Sequence, residues 1–159
     1  MPEKHVFGPV AVALPAGLTR ADLEFYGIDH FCPSYVAQIF FNDPDVDEAS
    51  AGEERPSYAG RFAIFGHQRC GSDEGHCVVH THLRRFDDRP SHPLTRAFKR
   101  VVVTDALRRH ADAGEITVTV VVTADPTELE HRDAPLLLRF EGMQITTFAA
   151  AAPDEEPLP

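Results

Sequence analysis

Glu115-Ile116-Thr117-Val118-Thr119-Val120-Val121-Val122-Thr123 is the stretch that decides the fold. Ile116, Val118, Val120 and Val122 occupy every second position, so an extended chain lines one face with them and turns Thr117 and Thr119 to the other. A helix would scatter the same four side chains around its circumference. This is a half-buried strand. Immediately upstream, Arg100-Val101-Val102-Val103-Thr104 reads as another, and Asp105 is placed to N-cap one short helix over 106–113 that Gly114 stops. Downstream, Pro135 to Phe140 and Met143 to Phe148 are expected to pair as a closing hairpin around Glu141-Gly142.

The same alternation recurs toward the N-terminus. Leu23 to Ile28, Ser34 to Phe41 and Tyr58 to Phe65 are rich in aromatic and β-branched residues, and Asn42-Asp43-Pro44-Asp45 supplies turn chemistry after the second. Pro2, Pro9 and Pro15 keep residues 1–20 out of helix, as an extended lead-in. Asp43 to Glu54 is acidic and is expected as an exposed loop, and a second polar loop runs from Arg84 to Pro93. From Ala149 the chain is rich in Ala, Pro and acid, a tail with too little apolar surface to order itself. The fold expected is all-β: an antiparallel β-sandwich or small barrel of about seven strands with one short helix. Residues 21–148 form its single domain, between the lead-in and the tail 149–159. Phe40, Phe62, Ile64, Val102, Val118, Val120 and Leu138 are the expected core, with Tyr26, Tyr35 and Tyr58 core or half-core.

Composition agrees with one globular domain. The chain has 159 residues, 43% of them hydrophobic and 25% charged, which suffices for a core. The formal net charge of −10, from 25 acidic against 15 basic residues, repels phosphate backbones and argues against a nucleic-acid partner. No run approaches the ~18–20 apolar residues that span a bilayer. Pro9 and Pro15 also break the apolar stretch Val6 to Leu18, a poor export signal, so a cytoplasmic chain is expected, with export on a partner as the other route.

Chemistry concentrates between His67 and His82. His67, Cys70, His76, Cys77, His80 and His82 carry imidazole and thiolate, the donors that Cu(I) and Zn(II) favour. His76, Val78, His80 and His82 alternate, so His80 and His82 can point from one strand face at one ion. Gly66, Gly71 and Gly75 would let the backbone wrap around it. Cys-x6-Cys matches no strong zinc spacing, and a second reading stands beside the metal one: a solvated loop tied by a Cys70–Cys77 bridge. Cys32 stands alone. His30 and His92 are isolated and read as local hydrogen-bonding or packing residues rather than ligands. Asp43 to Glu48 lacks the register of a calcium loop, and no nucleophile elbow or nucleotide-binding glycine motif occurs.

The order Tyr35 to Asn42, then Tyr58 to Phe65-Gly66-His67, the Cys70/Gly75-His76-Cys77 loop, Pro93-Leu94-Thr95, Val101 to Leu107 and Ile116 to Val122 resembles a known domain. It is the β-rich C-terminal domain that follows the catalytic domain of polyphenol oxidases and some bacterial tyrosinases. The likeness spans roughly residues 22–148 as a pattern of elements, and Phe-Gly-His beside a Gly/His/Cys loop is its most specific part. It implies a lid that packs over a type-3 copper site, holds the enzyme latent, places a residue in the substrate pocket or assists copper delivery. It does not imply the oxidase itself. A type-3 site takes three histidines per copper, mostly from helices, and the one helix expected here offers His110 alone. Three functions follow: an accessory copper-handling (or zinc-handling) domain for a tyrosinase-like partner, a metal-free interaction module with a Cys70–Cys77 disulfide, and a mononuclear metalloenzyme using the His cluster with Glu74 as base.

Overall fold

A computed structural model describes residues 3–67, 85–86, 95–110, 114–129 and 136–150. Among the described residues, seven strands and two short helices follow in the order β1 (Glu3–Ala11), β2 (Leu18–Ile28), β3 (Tyr35–Phe41), β4 (Tyr58–Ile64), β5 (Ala97–Val102), α1 (Thr104–His110), β6 (Glu115–Ala124), α2 (Pro126–Leu129) and β7 (Gly142–Ala149). They form two antiparallel sheets, β1-β6-β3-β4 and β5-β2-β7, with no closed barrel.

The opening stretch is the centre of the larger sheet. β6 pairs with β1 on one side and β3 on the other, setting Val120 opposite both His5 and Ile39. Ile116, Val118, Val120 and Val122 point into the core, against Leu23 and Phe25 of β2 and Ala37 and Ile39 of β3. Phe25 and Phe62 meet across the sheets with ring centroids 5.0 Å apart. Fully burying such side chains contributes about 1.5–3 kcal/mol each, so this layer supplies most of the driving force.

The other face of β6 is covered too. Phe40, Val46 and Val121 form a second small core, with Ala51 and Tyr58 packed against it. Val46 belongs to the acidic segment expected as an exposed loop. That segment is therefore a flap over the sheet: Asp43 bonds Arg55 at 2.8 Å and Ser57 at 2.6 Å, closing its base, while Val46 plugs its middle. The hydrogen bonds from Ser57 and Arg55 hold the Asp43 carboxyl below its ordinary value.

Several sequence expectations change. The lead-in contains the edge strand β1, paired with β6 from Glu3 to Ala11. Helix α1 begins at Thr104, so Asp105 lies in its first turn, ion-paired with Arg108, instead of capping it. Val101 and Val103 face the core and Val102 is 57% exposed, because register with β2 assigns the inward positions of β5 to the odd residues. Tyr26 also lies on the outer face, whereas Tyr35 is buried.

The expected closing hairpin does not form. β7 pairs with β2, Thr146 opposite Asp22 and Gln144 opposite Glu24. Residues 136–140 run from Glu3 of β1 to the end of β2, where the Arg139 carbonyl accepts the Asp29 N–H. The Leu137 and Leu138 N–H groups donate to the Glu3 carboxylate at 2.6 and 2.9 Å. A buried carboxylate thus takes the donors that a hairpin would have used. Ala149, the first residue of the expected tail, is still in β7, and Ala150 N–H donates to the Gly17 carbonyl. Residues 151–159 lie outside those described.

Candidate functional site

β4 runs out through Phe65 and Gly66 to His67, the one member of the expected ligand set that is described. Cys70, His76, Cys77, His80 and His82, the expected strand 76–82 and His92 lie outside the described residues. Apart from Arg85 and Phe86, His67 and Thr95 are the described residues that flank segment 68–94. Both are bonded to one residue. His67 N–H donates to the His30 carbonyl at 2.9 Å, and the His30 ring Nε2 meets the Thr95 carbonyl at 2.6 Å. His30 therefore closes a neck across the base of the segment. The sequence marks it as a local hydrogen-bonding or packing residue; its ring contact instead reaches Thr95, 65 positions along the chain.

The neck is built from the β2–β3 connection. Asp29 accepts the Phe31 N–H at 2.9 Å and pairs with Arg139 at 2.8 Å, while its own N–H donates to the Arg139 carbonyl. Ser34 Oγ accepts the Gly66 N–H at 3.1 Å. Gly66 sits so close to the opposing backbone that a Cβ would lie 2.0 Å from the Cys32 carbonyl oxygen. Only glycine permits that approach.

Around this base the imidazoles of His30 and His67 meet edge to face at 4.9 Å, and Phe65 meets His67 at 5.4 Å. Phe65 and Phe31 are 76% and 53% exposed, so the neck has an aromatic rim. The Cys32 thiol is buried beneath, within 3.9 Å of the Asp29 carbonyl. Among the described residues no group of three or more His, Cys, Asp or Glu side chains is placed to hold one metal ion. The neck brings the two imidazoles of His30 and His67 together, and the remaining candidate donors lie outside the described residues.

Two polar assemblies escape the sequence reading. On β2 the outward residues Arg20, Asp22, Glu24 and Tyr26 alternate with the core residues Ala21, Leu23 and Phe25. Glu24 receives Gln144 at 2.9 Å, the Tyr26 hydroxyl at 2.6 Å, the Thr146 hydroxyl at 2.9 Å and Arg100 at 2.9 Å. The hydrogen bonds from Gln144 and Tyr26, aided by Thr146 and Arg100 and opposed by burial, pull its carboxyl down to about 2. Arg100 also stacks over Phe98, which packs on Tyr26 at 5.1 Å, giving that sheet an aromatic and charged outer face. The available signal is alternation: Asp22/Glu24 and Gln144/Thr146 are i, i+2 polar pairs on strands whose intervening residues are apolar.

The depressed Glu24 pKa fixes the sign of an acid response. Its stabilisation is complete above the ordinary carboxylate value and is lost as pH falls toward about 2. Wild type is expected to lose melting temperature between about pH 4.5 and 2, while Glu24→Gln starts lower and falls less over that range. Parallel pH profiles for the two proteins would refute the assignment. The second assembly joins Glu3 to His5, Leu137 and Leu138.

No protein-family model matches the chain, and no curated protein matches it. A solved structure of a recombinantly expressed latent aurone synthase (polyphenol oxidase), co-crystallised with hexatungstotellurate(VI), is similar at 16% identity with a TM-score of 0.47. The likeness covers 92% of this chain and 24% of that one, so this chain spans about a quarter of that protein's length. Among the described residues no helix is long and apolar enough to cross a membrane.

Proposed function

We propose that this domain is a metal-handling accessory module: a rigid two-sheet scaffold presenting the His/Cys segment 67–82, with copper the first candidate ion and zinc the second. Its partner is a phenol-oxidising copper protein of the tyrosinase type. The observation that carries the reading is the neck. A segment whose two flanks are bonded to one histidine is held at a fixed point on the scaffold, which is what a displayed ligand loop requires. The donor chemistry of His67, Cys70, His76, Cys77, His80 and His82 supports the same reading, as does the order of elements that resembles the β-rich domain of polyphenol oxidases.

Titrating Cu(I) and Zn(II) into the reduced full chain tests it. Near-stoichiometric binding is expected, and His80→Ala with His82→Ala should weaken it by at least about tenfold without moving the melting temperature. Equal, weak binding by both proteins would end the metal reading. The exposed Tyr26, Phe98 and Phe148 on the β5-β2-β7 face favour a metal-free interaction module in that case, with a Cys70–Cys77 disulfide detectable by thiol counting in air.

A further inference from the structure

Residues 136–140, bonded to Glu3 of β1 and to Asp29 just after β2, border a groove of about 530 Å³. That is within the range of small-molecule sites. Its walls are the apolar side chains of Phe7, Leu138, Phe140 and Met143, with Leu136 at the lip. Phe140 packs edge-on against both Phe7 and Phe25, so the floor is continuous with the core and rigid.

Two nitrogen donors interrupt this apolar lining. His5 gives its Nε2 to Glu3, whose carboxylate is also fixed by the Leu137 and Leu138 amides. The ring is therefore oriented and stacked on Phe7. Arg139 pairs with Asp29 through one terminal nitrogen, yet its Nε is buried with no hydrogen-bond partner among the described residues. A buried N–H without an acceptor is costly unless something bound in the groove supplies one. Glu3 and Asp29 are the acidic groups beside these donors, and each is already engaged.

We infer that this groove binds a small carboxylic acid with an apolar tail, its carboxylate on Arg139 and its tail on Phe140 and Met143. An acceptor-only head satisfies Arg139 Nε directly, and charge-assisted bonds to guanidinium are about twice as strong as neutral ones. A purely apolar ligand would leave that donor orphaned. The inference is independent of the metal reading, since none of these residues belongs to the expected ligand set.

The test uses the full chain and two matched probes, 3-phenylpropionate and 3-phenylpropan-1-ol, followed by NMR. The chain has two methionines, so the Met143 methyl signal is readily assigned, and the His5 ring signals report on the polar end. Saturable shifts at both are expected for the acid, with the alcohol bound about tenfold more weakly. Arg139→Gln should abolish the preference for the acid, bringing the two probes to equal affinity. Equal affinity of the two probes for wild type overturns the proposal, as does the absence of saturable shifts at Met143 and His5. The wild-type comparison decides this even if Arg139→Gln fails to fold.

Discussion

Replacing Glu3 by alanine is expected to lower the melting temperature by about 10 °C, a loss of about 4 kcal/mol for a domain of this size. Glu3 is 8% exposed, and its two oxygens accept the N–H groups of Leu137 and Leu138, residues themselves almost wholly buried. Alanine removes both acceptors together, and each buried donor left unsatisfied costs about 1–3 kcal/mol. His5 loses its partner in the same step. Glu3→Gln keeps one oxygen and should cost roughly half as much. Burial pushes the Glu3 carboxyl up, but the hydrogen bonds from His5, Leu137 and Leu138 and the attraction of His5 outweigh it, leaving the pKa lowered. A lowered folded pKa means that the stabilisation is present above the ordinary carboxylate value and disappears as pH falls below it. The penalty of Glu3→Ala should therefore be largest near neutrality and shrink in acid. Thermal unfolding of the three proteins across pH checks both statements. A loss for Glu3→Ala below about 1 kcal/mol at neutral pH would show that water replaces the carboxylate freely.

That interaction also explains where sequence reading fails. Glu115 to Thr123 is legible because its pattern is a property of the strand itself: four β-branched residues at period two need one buried face wherever the strand sits. The same holds for β3 and β4. The segment Pro135 to Phe140 is no less apolar, but its partner is decided by an acidic residue more than 130 positions earlier, and no local pattern encodes that. Val101 and Val102 show a subtler limit. In a run of three valines the parity of the inward face is invisible, and pairing of Leu23 with Val101 settles it from outside the run. The Asp43 to Glu54 segment misleads through its charge. Val46, one apolar side chain amid acids, is buried because Phe40 and Val121 leave an uncovered apolar patch beneath it.

The candidate site divides in the same way. Its donor types are legible from residue chemistry, because imidazole and thiolate bind metals whatever their fold. The neck is not, because His30, Ser34, Thr95 and Arg139 come from three separate parts of the chain and each looks ordinary alone. Of the whole neck, the Phe65-Gly66-His67 tripeptide is the local trace, and its glycine supplies the sharpest test of the assembly.

Gly66→Ala is expected to destabilise the domain by about 3 kcal/mol, through overpacking and the loss of two hydrogen bonds. The added methyl would meet the Cys32 carbonyl oxygen at 2.0 Å and the Pro33 carbonyl carbon at 2.3 Å. Both are backbone atoms, which cannot swing aside as the end of a long side chain can. The strand end must therefore move away from residues 32–34. That movement breaks the Gly66 N–H bond to Ser34 and the His67 N–H bond to His30, and it parts the two imidazoles. Gly142→Ala is the matched control: a Cβ there would meet nothing within 4 Å, so a change of no more than about 0.5 kcal/mol is expected. Unfolding in denaturant measures both variants, and similar midpoints for the two would refute the close approach at Gly66. Metal titration of Gly66→Ala then separates scaffold from function. Weaker Cu(I) binding in a protein that remains folded would tie affinity to the neck. Unchanged binding would mean that segment 68–94 organises its own donors, and the neck would then serve the stability of the sandwich alone.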